Sequence, residues 1–203
     1  MRRTVVENFR QGSAIPRHAA EKTRPIMGTS LMSELERLAN ALEADTSSVE
    51  EVSLGMLAEK IAKEIRVKPD EVAILGVSER WRHLHFLVPA ALKNVGFIPL
   101  TSNSALAART AREKKPEIHN NFAAMRHVTV FEGVKAATTS GESIQKIISA
   151  PILNEGRVVG VMQISRKGDS PADAGADFTG EELGKVLGLC KPLGKLVAVL
   201  RGE

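Results

Sequence analysis

His83 and His85 stand two residues apart in an apolar run, so on a strand both side chains leave the same face. Such a pair can bind a divalent metal. No Cys, Asp or Glu flanks it at ligand spacing, which leaves the set short of a metal site. His119 and His127 flank the pair Asn120-Asn121. These rings and amides can hydrogen-bond a small molecule, or the asparagines can form a turn with ordinary backbone bonding. Ser102, Asn103 and Ser104 precede a helical run and are good N-cap types, and a helix N-terminus there would also favour an anionic group. Ser149 is a hydroxyl in an otherwise apolar strand beside Pro151, suited either to internal hydrogen bonding or to a ligand contact. Phe86, Phe97, Phe122 and Phe131 can wall a pocket or fill a core.

Catalysis finds no support in these residues. The chain has no nucleophile elbow, no metalloprotease spacing and no Gly-x-x-x-x-Gly-Lys phosphate loop. Its single cysteine, Cys190, excludes an internal disulfide framework and a multi-cysteine metal centre. The formal charge of +4 lies wholly in residues 1–30, through Arg2, Arg3, Arg10, Arg17, Lys22 and Arg24 against Glu7 and Glu21. The remainder is neutral, has no tyrosine and offers few aromatic groups to stack bases, so nucleic acid is not an expected partner. No apolar run is long enough to span a bilayer, and no apolar segment follows Arg2-Arg3 as a secretory signal requires. The expectation is a non-enzymatic protein of the cytoplasm without membrane insertion.

The elements that must position these residues follow from periodicity. Residues 1–29 mix charge with Gly and Pro and show no period, which predicts an irregular basic extension. Leu31, Leu35, Leu38 and Leu42 make one helical stripe, so residues 30–46 are expected as an N-terminal helix. Residues 47–203 form the main domain. Ser47 with Glu50 and Ser48 with Glu51 offer overlapping capping boxes for a second helix, with its stripe at Leu54, Leu57, Ala58, Ile61, Ala62 and Ile65. Val72–Val77 and Leu84–Val88 read as strands, with Gly76 a bulge or a point of close packing. An irregular crossing through Gly96 and Pro99 leads to a helix over 105–114, stopped by Pro116. Glu117–His119 reads as a short extended piece, and Phe122–Ala137 as a weak helix.

The C-terminal third is the sharpest pattern. Two β-rich runs joined at Asn154-Glu155-Gly156 make a hairpin, and Thr179 with Glu182 makes a capping box for a long helix over 181–200. Pro192 is expected to kink or break that helix, and Gly180, Gly184 and Gly188 lie on one face of it.

Three local patterns, in this order and spacing, resemble the GAF domain family. Ser104-Ala-Leu-Ala-Ala-Arg-Thr-Ala-Arg-Glu-Lys-Lys-Pro116 is similar to the family's helix ending in a Gly-Lys-Pro-like step. Ser149-Ala-Pro151-Ile-Leu resembles its "Ser-x-x-x-Pro-Leu" strand. Gly160-Val-Met-Gln-Ile-Ser, with Phe178-Thr-Gly-Glu-Glu-Leu, resembles its last strand and the entry to its last helix. The resemblance implies an α/β chain of the α+β type. A central antiparallel sheet of five to six strands would carry helices on both faces, with an N-terminal helical extension. It also implies a ligand pocket on the face away from the terminal helices, with Ser102, Ser104, His119, Asn120, Asn121, Phe122, His127 and Ser149 as candidate contacts. Homodimerisation through the terminal helices and relay to a signalling partner are further implications. The ligand and any cofactor stay unnamed. The family's cyclic-nucleotide signature is met only in part, with Lys167 and Phe178 kept but Arg166, Glu182 and Leu183 in place of its Asn, Asp and Glu. Bilin binding needs a cysteine near the pocket, and the family's methionine sulfoxide reductases use several cysteines.

Overall fold

The computed structural model of the chain describes residues 30–44, 54–80, 82–94, 96–125 and 142–200. The basic extension, the capping boxes at 47–51, Phe131, His127 and most of the weak helix over 122–137 lie outside them. Six strands form one antiparallel sheet: β1 (Val72–Ser78), β2 (His83–Val88), β3 (Phe97–Pro99), β4 (Glu117–His119), β5 (Ser143–Asn154) and β6 (Arg157–Gly168). Their order across the sheet is β3-β2-β1-β6-β5-β4. Helices α1 (Leu31–Ala44), α2 (Leu54–Ile65) and α4 (Gly180–Leu200) share one apolar core against the sheet. Helix α3 (Leu106–Glu113) packs on the opposite face. The expected sheet with helices on both faces is the observed one.

The β5–β6 hairpin assigns the faces. Glu155 and Gly156 both have positive φ (49° and 77°), as the tight turn that matches strand twist requires. Beyond a register irregularity at Ile152/Leu153, successive side chains alternate. Ile148, Ala150 and Ile152 on β5, with Met162 and Ile164 on β6, enter the core of α1, α2 and α4. Ile147 and Ser149 on β5 and Val161, Gln163, Ser165 and Lys167 on β6 occupy the alternate positions, toward the other face.

Helix α4 begins as its residues predict. Glu182 N donates to Thr179 Oγ1 at 3.3 Å, and Thr179 N donates to Glu182 Oε2 at 2.9 Å, which completes the capping box. Pro192 does not end the helix; it runs unbroken to Leu200. The apolar stripes of the terminal helices are used within the chain: Leu35 and Ala39 of α1 and Val186, Leu189, Leu193, Leu196 and Val197 of α4 are all buried.

The glycines of α4 also differ from the sequence reading. Gly180 and Gly184 face open space, and Gly188 approaches only the Met32 sulfur, so the ladder is not a packing seam. Gly194 is the one that permits close approach, because a Cβ there would meet Leu153 O at 2.0 Å. Two further departures concern short segments. The crossing through Pro99 contains strand β3, too short for a periodic signal. Phe122–Ala124 forms one 3-10 turn and Met125 is extended, so no longer helix starts there. Substituting Gly194→Ala should lower stability by about 1–3 kcal/mol through overpacking. Gly184→Ala should raise it by about 1 kcal/mol, as expected for an open helix-interior position. Urea unfolding of the two variants checks both signs.

Candidate functional site

The sheet face opposite α1, α2 and α4 divides into an apolar part and a polar part. Ala107, Ala108 and Ala111 of α3 seat on Leu75, Val77, Leu84, Phe86, Ile98 and Val161, the small helix residues allowing close approach. Beyond them the floor is Gln163, Ser165 and Lys167 at alternating positions of β6. Register places Gln163 between Ala73 of β1 and Ser149 of β5. A cavity of about 30 Å³, room for about one water, lies over this floor. Phe86, Pro89, Leu92, Ile144 and Ile147 wall it, and Asp70 and Glu71 stand at one end.

Hydrogen bonds in this floor have a direction. Thr110 Oγ1 donates to Leu106 O at 2.9 Å, so the 2.8 Å contact between Thr110 and Ser149 is made by the Ser149 proton. Ser149 Oγ then accepts from Gln163 Nε2 at 3.3 Å. Gln163 is 3% exposed, and its Oε1 has no hydrogen-bond partner among the described residues. An unsatisfied buried carbonyl of this kind costs about 1–3 kcal/mol unless water or another polar group meets it. The charged end is closed internally. Glu71 accepts from the backbone N–H groups of Lys68 and Lys167, both at 2.7 Å, and Lys167 Nζ reaches Asp70 Oδ2 at 2.7 Å.

At the β4 edge, Arg109 holds Glu117 through Nε and Nη2 at 2.9 and 2.7 Å, and His119 Nε2 lies 2.7 Å from the same carboxylate. The carboxylate accepts, so Nε2 carries the proton in this contact. Phe122 is buried with Leu106 and Ile147, and Ile144 packs against that cluster. The turn after β4 therefore adjoins two walls of the cavity.

The sequence-derived candidates fall into separate groups. His119, Phe122 and Ser149 come near the polar end of this face, through Ile147 and Gln163, but none of them lines the cavity. Asn121 is exposed and Asn120 bonds to backbone at Phe178. Ser102 accepts from Ala105 N at 3.2 Å, while Ser104 is exposed; neither lines the cavity, and the N-cap of α3 is Ala105. The polar floor at Gln163, Ser165 and Lys167 was not among the candidates, although period-two alternation with Val161 carried the signal. His83 packs on Phe97 with ring centroids 4.7 Å apart, and no metal-holding group of three His, Cys, Asp or Glu side chains occurs among the described residues. Cys190 lies in the opposite core, where burial pushes its thiol up to about 12. A second, open cleft of about 440 Å³ lies between the α2–β1 connection and the β6–α4 loop. Two of its lysines are already paired, Lys68 with Glu142 and Lys167 with Asp70. No helix among the described residues is long and apolar enough to cross a membrane.

Comparison with known proteins bears on the fold that carries this site. A family model for the GAF domain matches residues 28–191. The GAF domain of a phosphoenolpyruvate-protein phosphotransferase from Acinetobacter is similar at TM-score 0.54 and 16% identity, covering 86% of this chain and 96% of that one. A free methionine-R-sulfoxide reductase from Neisseria meningitidis, solved with its substrate, is similar at TM-score 0.55 and 16% identity, covering 84% and 88%. The GAF domain of a two-component sensor histidine kinase from Bacillus halodurans gives 0.51 and 14%, covering 73% and 96%. At such identities the likeness concerns the fold. A search of curated proteins finds no match.

Burial works to raise the Glu117 carboxyl, but the Arg109 and His119 contacts outweigh it and hold it below its ordinary 4.5. A depressed carboxyl stabilises the fold fully above about pH 4.5, and that contribution is lost as pH falls through the lower folded value. Glu117→Gln should therefore be less stable near pH 7 and lose less on acidification below pH 4.5. Urea midpoints between pH 7 and pH 3 would show parallel acid limbs if the pairing contributed nothing.

Proposed function

Since the chain belongs to the GAF domain family, whose fold occurs in sensor and signalling proteins, we propose that it is a non-catalytic sensor of a small molecule. The ligand site is the polar floor of Gln163 and Ser165, with Ser149 bonded behind Gln163, under the apolar walls Phe86, Leu92 and Ile147. The observation that carries this reading is Gln163: a buried amide on the α3 face of the sheet whose Oε1 has no partner among the described residues. Apolar walls with a few convergent polar groups are what ligand sites share. His119 at the end of β4 and Phe122 in the turn after it are proposed to complete the site; His127, also expected there, lies outside the described residues. Binding then alters the packing of the terminal helices and is read by a partner chain or a second copy.

A redox enzyme of the sulfoxide reductase kind fits these residues poorly. That chemistry needs a thiolate at the site, whereas Cys190 is buried across the sheet with its thiol near 12. One specific observation favours a second reading: at about 30 Å³ the cavity is filled by its own walls, as in a ligand-free interaction scaffold.

Native mass spectrometry of the protein from its own cells decides between them. The sensor predicts a retained extra mass that Gln163→Leu loses by at least about tenfold, the cost of one unmet buried polar contact. Bare protein in every preparation, with no thermal shift across nucleotides and metabolites, would sink the sensor. In either case native Cys190 should resist thiol reagents until the fold is opened, and rapid native labelling would contradict its burial.

A further inference from the structure

Asn120 holds an unusual position between the two faces of the sheet. It follows directly on β4, the edge strand, and precedes Phe122, which is packed with Leu106 and Ile147 beside the cavity. Its side chain does not turn to that cavity. Nδ2 donates to Phe178 O at 3.1 Å and Oδ1 accepts from Phe178 N at 2.9 Å. A primary amide offers the same donor and acceptor as a peptide group, so Asn120 meets both polar groups of one backbone residue at once. Phe178 itself is buried in the core of α4 on the far side of the sheet. It stands one residue before Thr179, which caps that helix.

The same short segment is gripped by two other side chains. Lys146 Nζ donates to Gly175 O and pairs with Asp177 at 2.8 Å. Arg166 donates to Ala176 O, stacks its guanidinium 4.2 Å over the Phe178 ring and pairs with Glu182 at 2.7 Å. Lys146 and Arg166 come from the sheet strands β5 and β6. Both strands also line the cavity, through Ile147 and Ser165. Asn120 is the one of the three that comes from the turn after β4, and it ties that turn to the start of α4.

We infer that Asn120 is a coupling latch, joining the turn beside the ligand site to the N-terminus of α4 rather than contacting ligand. This deepens the sensor reading and rests on it for its biological use. The physical coupling is a property of the protein itself and is reciprocal. Displacing the turn must pull on the Phe178 backbone, and loosening the α4 cap must free the turn.

Hydrogen–deuterium exchange on the full chain tests it. Asn120→Leu removes both bonds and should speed exchange in the first turn of α4 about three- to tenfold, the range for losing neutral hydrogen bonds. Glu182→Ala, which opens the cap and the Arg166 pair without touching Asn120, should speed exchange over 118–124. In the Asn120→Leu background it should add nothing there, because the link is already cut. A merely local hydrogen bond would give additive effects, and unchanged exchange in α4 would also overturn the latch. Loss of the retained ligand mass in Asn120→Leu with α4 exchange unchanged would make Asn120 a ligand contact instead. Should Asn120→Leu fail to fold, Asn120→Asp keeps the acceptor for Phe178 N–H and loses only the donor, and its α4 exchange answers the same question. Absence of retained mass even in the unaltered protein would defeat the sensor reading while leaving the exchange result to decide the latch.

Discussion

The antiparallel pairing of β5 with β6 is the contact on which the rest depends. Its two strands are the longest, at 12 residues each, and β1 and β4 add to its two outer edges. Because side chains alternate, the register set by the Glu155-Gly156 turn together with the irregularity beside Ile152 sends Ile148, Ala150 and Met162 to the helices and Gln163, Ser165 and Ser149 to the other face. A slip of one residue would exchange those sets. It would bury glutamine and lysine under α4 and leave isoleucine beneath the polar floor.

Close contacts lock this arrangement. Gly160 lies where a Cβ would meet Leu75 O at 2.5 Å, and Gly194 brings α4 onto the hairpin at Leu153. Helix α4 can therefore seat only along one line over the sheet. Its entry is held separately, by Lys146, Arg166 and Asn120 on the segment before Thr179. Polar side chains here replace the backbone pairing that a loop lacks, satisfying carbonyls that would otherwise lie partly buried.

Much of this was legible in the residues. The hairpin, the capping box and the apolar stripes are local codes, written within a few residues of the structure they specify. Strand β3 and the single turn at Phe122 were not, since three residues carry no period. Pro192 does not break α4, because tertiary burial of the surrounding stripe outweighs the local defect. Among site residues, Ser149 stood out as a hydroxyl in an apolar strand, but its bond to Thr110 joins positions 39 apart. Arg166 and Glu182, which depart from the cyclic-nucleotide pattern, proved to be each other's partners.

By itself the sequence determined the longer helices and strands and the residue types their faces carry, because those follow from spacing along one strand or helix. Only the tertiary structure decided what the polar groups do. Asn120 and Phe178 are 58 residues apart, and Lys167 and Asp70 are 97 apart. The match of one amide to one backbone residue across a sheet edge depends on the packing of every element between them. The same packing left the Gln163 oxygen without a partner among the described residues and buried Cys190 in the opposite core, outcomes of geometry that no local pattern encodes.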